Sequence, residues 1–159
     1  MPTPERRLAS LSDRRRVPRG GRRPTDRAGR YPPVLVADSD GFARRPLVRY
    51  LNLFGFQVEE ATDGHNLTAA IERSQPHAIV AEITLPASSR LRTLFTADCR
   101  IPVIVTTTDP NTPVPPQASG LLIKPFPLAT MLNEIRCVLR QIRIAADGVM
   151  GTPEKLRPL

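Results

Sequence analysis

Short apolar bursts alternate along this chain with stretches of helical period. "PPVLVAD" (32–38) is an apolar run that follows two prolines and ends in an acid, and it reads as a buried strand. After Asp40, "GFARRPLVRYLNLFG" places Leu47, Tyr50, Leu51 and Phe54 at helical spacing, with Gly55 as the stop. Pro46 lies inside that pattern and predicts either a kink or a late start near Ala43. "FQVEEA" (56–61) is a second strand, less apolar and nearer an edge. "DGHNLTAAIERS" then predicts a helix with Leu67, Ala70 and Ile71 on one face. "HAIVAEI" (77–83) is a third strand, again continuously apolar, and "SSRLRTLFTAD" (88–98) predicts a short helix capped by Ser88 or Ser89. "PVIVTTT" (102–108) and "GLLI" (120–123) give a fourth and a very short fifth strand. Between them, "DPNTPVPPQAS" (109–119) carries four prolines, which excludes an ordinary helix. Beyond Lys124-Pro125, Leu128, Met131, Leu132, Ile135, Val138, Leu139 and Ile142 mark the clearest amphipathic helix in the chain. Arg136, Arg140 and Arg143 lie on its polar side, near the end where cations suit the helix dipole.

Strands that are apolar throughout and alternate with helices imply an α/β fold, a parallel sheet doubly wound by helices on both faces. Working groups in such folds lie at the carboxyl ends of the strands, which here are Asp38, Glu82, Thr107 and Lys124. An acid ending a buried strand is costly unless something compensates it, so Glu82 invites a chemical reading. A carboxylate that accepts a phosphoryl group needs further acids to hold Mg²⁺, and a hydroxyl and a cation to bind the phosphoryl oxygens.

Composition narrows the picture. At 159 residues the chain has the size of one domain, with an expected body over 32–144, an Arg-rich segment over 1–31 and a tail over 145–159. The net charge of +8 belongs to the start: residues 1–30 hold ten Arg against three acids, and the remainder holds thirteen basic residues against twelve acids. The body therefore has no claim to nucleic acid on charge alone. The first 30 residues are read as disordered, either a solvated tail or, in a functional reading, an arm for nucleic acid or an anionic surface. No apolar run approaches the ~18 residues of a membrane span and nothing resembles a secretory leader, so the expected location is the cytoplasm. Cys99 and Cys137 are expected to be reduced, buried thiols rather than a disulfide or metal ligands. His65 and His77 have no acid or Cys at metal spacing.

"VLVADSD", "AIVAEITLP", "PVIVTTT" and "GLLIKPF", with "GFQVEEATDG" between the first two, resemble the receiver domain of bacterial response regulators, the CheY-like fold. The resemblance covers about residues 33–143, and "KPF" after a short strand is its most specific piece. It implies a flavodoxin-like, five-stranded sheet in the order 2-1-3-4-5, here with the fourth helix replaced by the Pro-rich loop. It also implies Mg²⁺-dependent phosphorylation of an Asp by a histidine kinase. Carried over residue by residue, Asp38 matches the first acid of the metal-binding pair, and Ser39 replaces the second. Asp40 is one place further on, where its side chain points elsewhere. Glu82 stands in the phosphoacceptor position, Thr107 matches the switch hydroxyl with Thr106 and Thr108 beside it, and Lys124 matches the Lys. Leu121 occupies the place of the switch aromatic.

The resemblance therefore implies a degenerate pocket, with Asp38 and Glu82 leaving at most a residual Mg²⁺ site. Its expected function is a stand-alone, non-enzymatic signalling module of a two-component system, independent of phosphorylation and acting on a histidine kinase or a downstream effector. Glu82 either imitates a phosphoryl group toward Lys124 or is a structural ion pair left from a lost activity. Two alternatives stand beside this one. One is a working phosphoacceptor receiver that uses Glu82 or Asp38; the other is a nucleic-acid-associated protein acting through its Arg-rich segment.

Overall fold

The computed structural model describes residues 31–86, 89–96 and 98–149. The expectations for residues 1–30, for a cap at Ser88 and for residues 150–159 lie outside these. Among these residues five strands run β1 (Val34–Ala37), β2 (Val58–Ala61), β3 (Ala78–Glu82), β4 (Val103–Thr107) and β5 (Gly120–Ile123). All pair in parallel, in the order β2-β1-β3-β4-β5. Among the described residues four helices wrap them: α1 (Gly41–Leu53), α2 (Gly64–Ser74), α3 (Ser89–Thr93) and α4 (Leu128–Val149). The fold class and strand order are those expected from the sequence, and β5 follows β4 with no helix between them.

The period of two in the strands divides the core. Val34, Val36, Ala78, Val80, Ile104 and Leu122 face α1 and α4, where they meet Leu47, Leu51, Met131, Leu132, Ile135 and Val138. Leu35, Ala37, Ile79, Ala81, Val103 and Val105 face the other way, against Leu67 and Ala70 of α2 and Leu91 of α3. Burial of each large aliphatic side chain contributes roughly 1.5–3 kcal/mol, so both faces hold the sheet. In-register pairing then aligns the strand ends: Ala37 is opposite both Ala61 and Ala81, Glu82 opposite Thr106, and Thr107 opposite Ile123.

Four expectations are corrected. Helix α1 starts at Gly41 under an Asp40 cap despite Pro46. Pro46 and Phe42 are both exposed, so the Phe42 carbonyl that loses its helical donor meets water. Helix α3 covers only Ser89–Thr93, and turns follow it. Helix α4 continues past the expected boundary at 144 to Val149, because Ala145 and Ala146 extend it readily. Cys137 is exposed and Cys99 half-buried, because Cys137 falls on the outward side of α4 between the inward Ile135 and Val138.

Candidate functional site: a lysine held between two carboxylates

The parallel register brings the ends of β1, β3 and β5 to one rim, and three side chains meet there. Asp38 follows β1 directly and is 2% exposed. Its Oδ1 accepts the Asp40 backbone N–H at 2.8 Å. Its Oδ2 accepts Lys124 Nζ at 2.6 Å. Glu82 Oε1 lies 3.4 Å from the same ammonium. Lys124 thus sits between two carboxylates, and Asp38 is its nearer partner. Lys124 itself is placed by its backbone N–H, which donates to the Thr107 carbonyl at 2.7 Å.

The other expected residues lie around this trio. Ser39 is exposed beside it. Asp40 is turned away: its Oδ1 caps α1 by accepting the Phe42 N–H at 2.8 Å. Thr107 is buried, and its hydroxyl belongs to the following loop rather than to the Lys124 cluster. It accepts the Asp109 N–H at 3.1 Å and lies 3.2 Å from the Asp109 carbonyl and 3.1 Å from Thr112 Oγ1. Leu121 is 40% exposed. Two contributors escaped the sequence reading. Arg44 donates from Nη1 to the Asp38 carbonyl at 2.6 Å and from Nε to Glu60 at 2.8 Å, tying the end of β1 to β2. Its place four residues after the cap Asp40 was the available signal. Thr112 had none, because its approach to Thr107 depends on the path of an irregular loop.

No protein-family model matches the chain. Individual relatives do. The transcriptional regulatory protein PrrA of Mycobacterium tuberculosis is 32% identical over 120 residues, covering 69% of this chain and 51% of that protein. The response regulator MprA of Mycobacterium ulcerans is 32% identical over 133 residues, covering 75% and 56%. These relatives are response regulators, and the fold of the chain is the CheY-like receiver fold. Among solved structures, the chemotaxis response regulator CheY4 of Vibrio cholerae superposes with a TM-score of 0.58 at 24% identity, covering 67% of this chain and 98% of that one. The chain spans about half the length of the curated relatives it matches.

A receiver of this family implies Mg²⁺ at the acidic rim, and the donor set can be tested against that ion. Mg²⁺ needs near-octahedral oxygen ligands. Here both oxygens of Asp38 already accept hydrogen bonds, an ammonium lies between the two carboxylates, and Ser39 brings no charge. Among the described residues no three acids, His or Cys come together as a metal site. The residues do not fit the ion.

Electrostatics in this receiver is dominated by the acid pair. Burial, and then the neighbouring Asp38, push the Glu82 pKa above its ordinary 4.5, and Lys124 pulls it back only in part. A carboxyl whose pKa rises on folding favours its protonated form in the folded state. Its stabilising contribution is complete below 4.5 and is lost as pH climbs through the raised value. Glu82→Gln keeps the shape without the charge. It should therefore match the parent in mild acid and exceed it near neutral pH, by roughly 2–5 °C in Tm. Melting curves from pH 4 to pH 8 check this, and a variant advantage that shrinks as pH rises would contradict the assignment.

Proposed function

We propose that this chain is a receiver module that signals through protein contacts and without phosphotransfer. The observation that carries the reading is Lys124 held by Asp38 at 2.6 Å with Glu82 at 3.4 Å in the acceptor position. Glu82 supplies, in the resting protein, an anionic oxygen beside the Lys. Three further features support the reading. Glu reaches one methylene, about 1.5 Å, beyond an Asp, and misplacement near 1 Å can cost about a hundredfold in rate. The rim does not fit Mg²⁺. The Thr107 hydroxyl is engaged by Asp109 and Thr112 and makes no hydrogen bond to Asp38, Glu82 or Lys124.

The output is contact with a protein partner, a histidine kinase or an effector, at a surface whose conformation the Asp38–Lys124–Glu82 cluster maintains. Among the described residues no helix is long and apolar enough to cross a membrane. The test is acetyl phosphate with Mg²⁺ on the purified chain, followed by intact mass. The expected spectrum is unchanged. A gain of one phosphate that disappears in Glu82→Ala would overturn the proposal and restore the phosphoacceptor reading.

A further inference from the structure

A second concave site lies at the opposite rim of the sheet, where the chain enters β1 and β2 and where the C-terminal half of α4 passes. It is a cleft of about 360 Å³, within the range of roughly 300–1,000 Å³ usual for small-ligand sites. Its floor is aromatic. Tyr31 stacks on Phe56 with ring centroids 4.8 Å apart and planes 18° from parallel. Phe56 is 2% exposed and Tyr31 42%, so the Tyr31 ring is backed on one face and open to the cleft. Its wall is cationic. Arg136, Arg140 and Arg143 line it at i, i+4 and i+7, one stripe along α4. Arg136 is directed by the Phe54 ring, with Cζ 5.5 Å from the centroid. Leu139, half-buried against the core, also lines the cleft.

Charge distinguishes this cleft from an ordinary solvated face. None of the ion pairs among the described residues uses any of these three guanidiniums; those pairs involve Arg44, Arg73 and Lys124. Helix α1, which flanks the same side, carries three Arg and no acid. In a body whose bases and acids nearly balance, three unpaired Arg around one hollow are a local excess of positive charge. Unpaired guanidiniums match phosphate oxygens in charge and fork geometry. An aromatic face backed by a second ring suits a planar heterocycle. The stripe extends about 10 Å from Arg136 to Arg143 at 1.5 Å per residue, the reach of a polyphosphate. The Arg-rich first 30 residues have the wrong charge to fill this hollow.

We propose that this cleft binds a small phosphorylated ligand with a planar ring system, of the nucleoside polyphosphate class. Its ring stacks on Tyr31 and its phosphates lie along Arg136, Arg140 and Arg143. The site is independent of the Lys124 rim and of the reading given to it.

The test is titration of the isotope-labelled full chain with ATP, without added metal, followed by amide NMR shifts. Saturable shifts are expected at Phe56, Leu139 and Arg140. Because Arg140 and Arg143 are exposed, their replacement leaves the fold intact, and Arg140→Glu with Arg143→Glu should weaken binding at least about tenfold. Tyr31→Ala should weaken it roughly fivefold or more, the loss of one stacked base. Arg92→Glu on α3, away from the cleft, should change nothing. Shifts confined to residues 1–30, or an unaltered affinity in the double Arg variant, overturn the proposal. Pyrophosphate that binds as tightly as ATP overturns the role of the ring. An acidic peptide that displaces ATP and binds more tightly overturns it in favour of a protein partner.

Discussion

Lys124→Met should lower the unfolding free energy by about 3 kcal/mol, the cost typical of leaving one member of a buried ion pair unpartnered. The loss comes from what remains behind. Asp38 is 2% exposed and would keep only the Asp40 N–H as a donor. Met fills nearly the same volume as Lys, so packing contributes little. Glu82 would then face Asp38 with no cation near them, so the penalty should grow as pH rises through the raised Glu82 pKa. Asp38→Asn in the same chain removes the stranded charge and should recover half of the loss or more. Urea midpoints of the two variants and the parent measure both effects. A Lys124→Met midpoint equal to the parent's would mean that the ammonium does not neutralise Asp38.

The second large effect is a gain. Ser39→Asp together with Glu82→Asp rebuilds a three-acid rim with Asp38. Shortening Glu82 withdraws its carboxylate from Lys124, and Asp at 39 adds the charge that Ser lacks. The parent should show no Mg²⁺-dependent change in melting. The double variant should gain about 2.7 kcal/mol when the ion is at a hundred times its Kd, which corresponds to a Tm rise of roughly 5 °C or more. Differential scanning calorimetry with and without Mg²⁺, and with Ca²⁺ as a comparison, reads the effect directly. Equal shifts in parent and double variant would show that the existing acids already hold the ion.

Much of this architecture is legible in the chain because each strand is a continuous apolar run with a turn signal on either side. The strand "GLLI" over 120–123 matches its observed extent, and β2, with two Glu among its four residues, is an edge strand as its polarity suggests. The ends of helices were less legible. Local sequence marks Pro46 as a breaker, but a helix on a sheet is held by its buried face, and Leu47, Val48 and Leu51 outweigh one lost hydrogen bond at an exposed position. At the rim, motif order placed Asp38, Glu82 and Lys124 near one another, but not which carboxylate takes the shorter contact. That depends on the path of each side chain over a few tenths of an ångström, which residue type does not encode. The Thr107 partners were illegible for a related reason: they come from a loop whose course is set by tertiary contacts.

The outermost strand has a consequence for solubility. Strand β5 closes one side of the sheet, and no helix follows β4 to cover it, so Leu121 and Ile123 are 40% and 42% exposed. A bare, aliphatic outer strand is a template for pairing with a foreign strand and a common origin of aggregation. Here the template is four residues long, and Pro125, which has no N–H to offer, lies two residues beyond it. An intruding strand would find few backbone groups to pair with before the register ends. The brevity of β5 thus protects a surface that no helix between β4 and β5 covers.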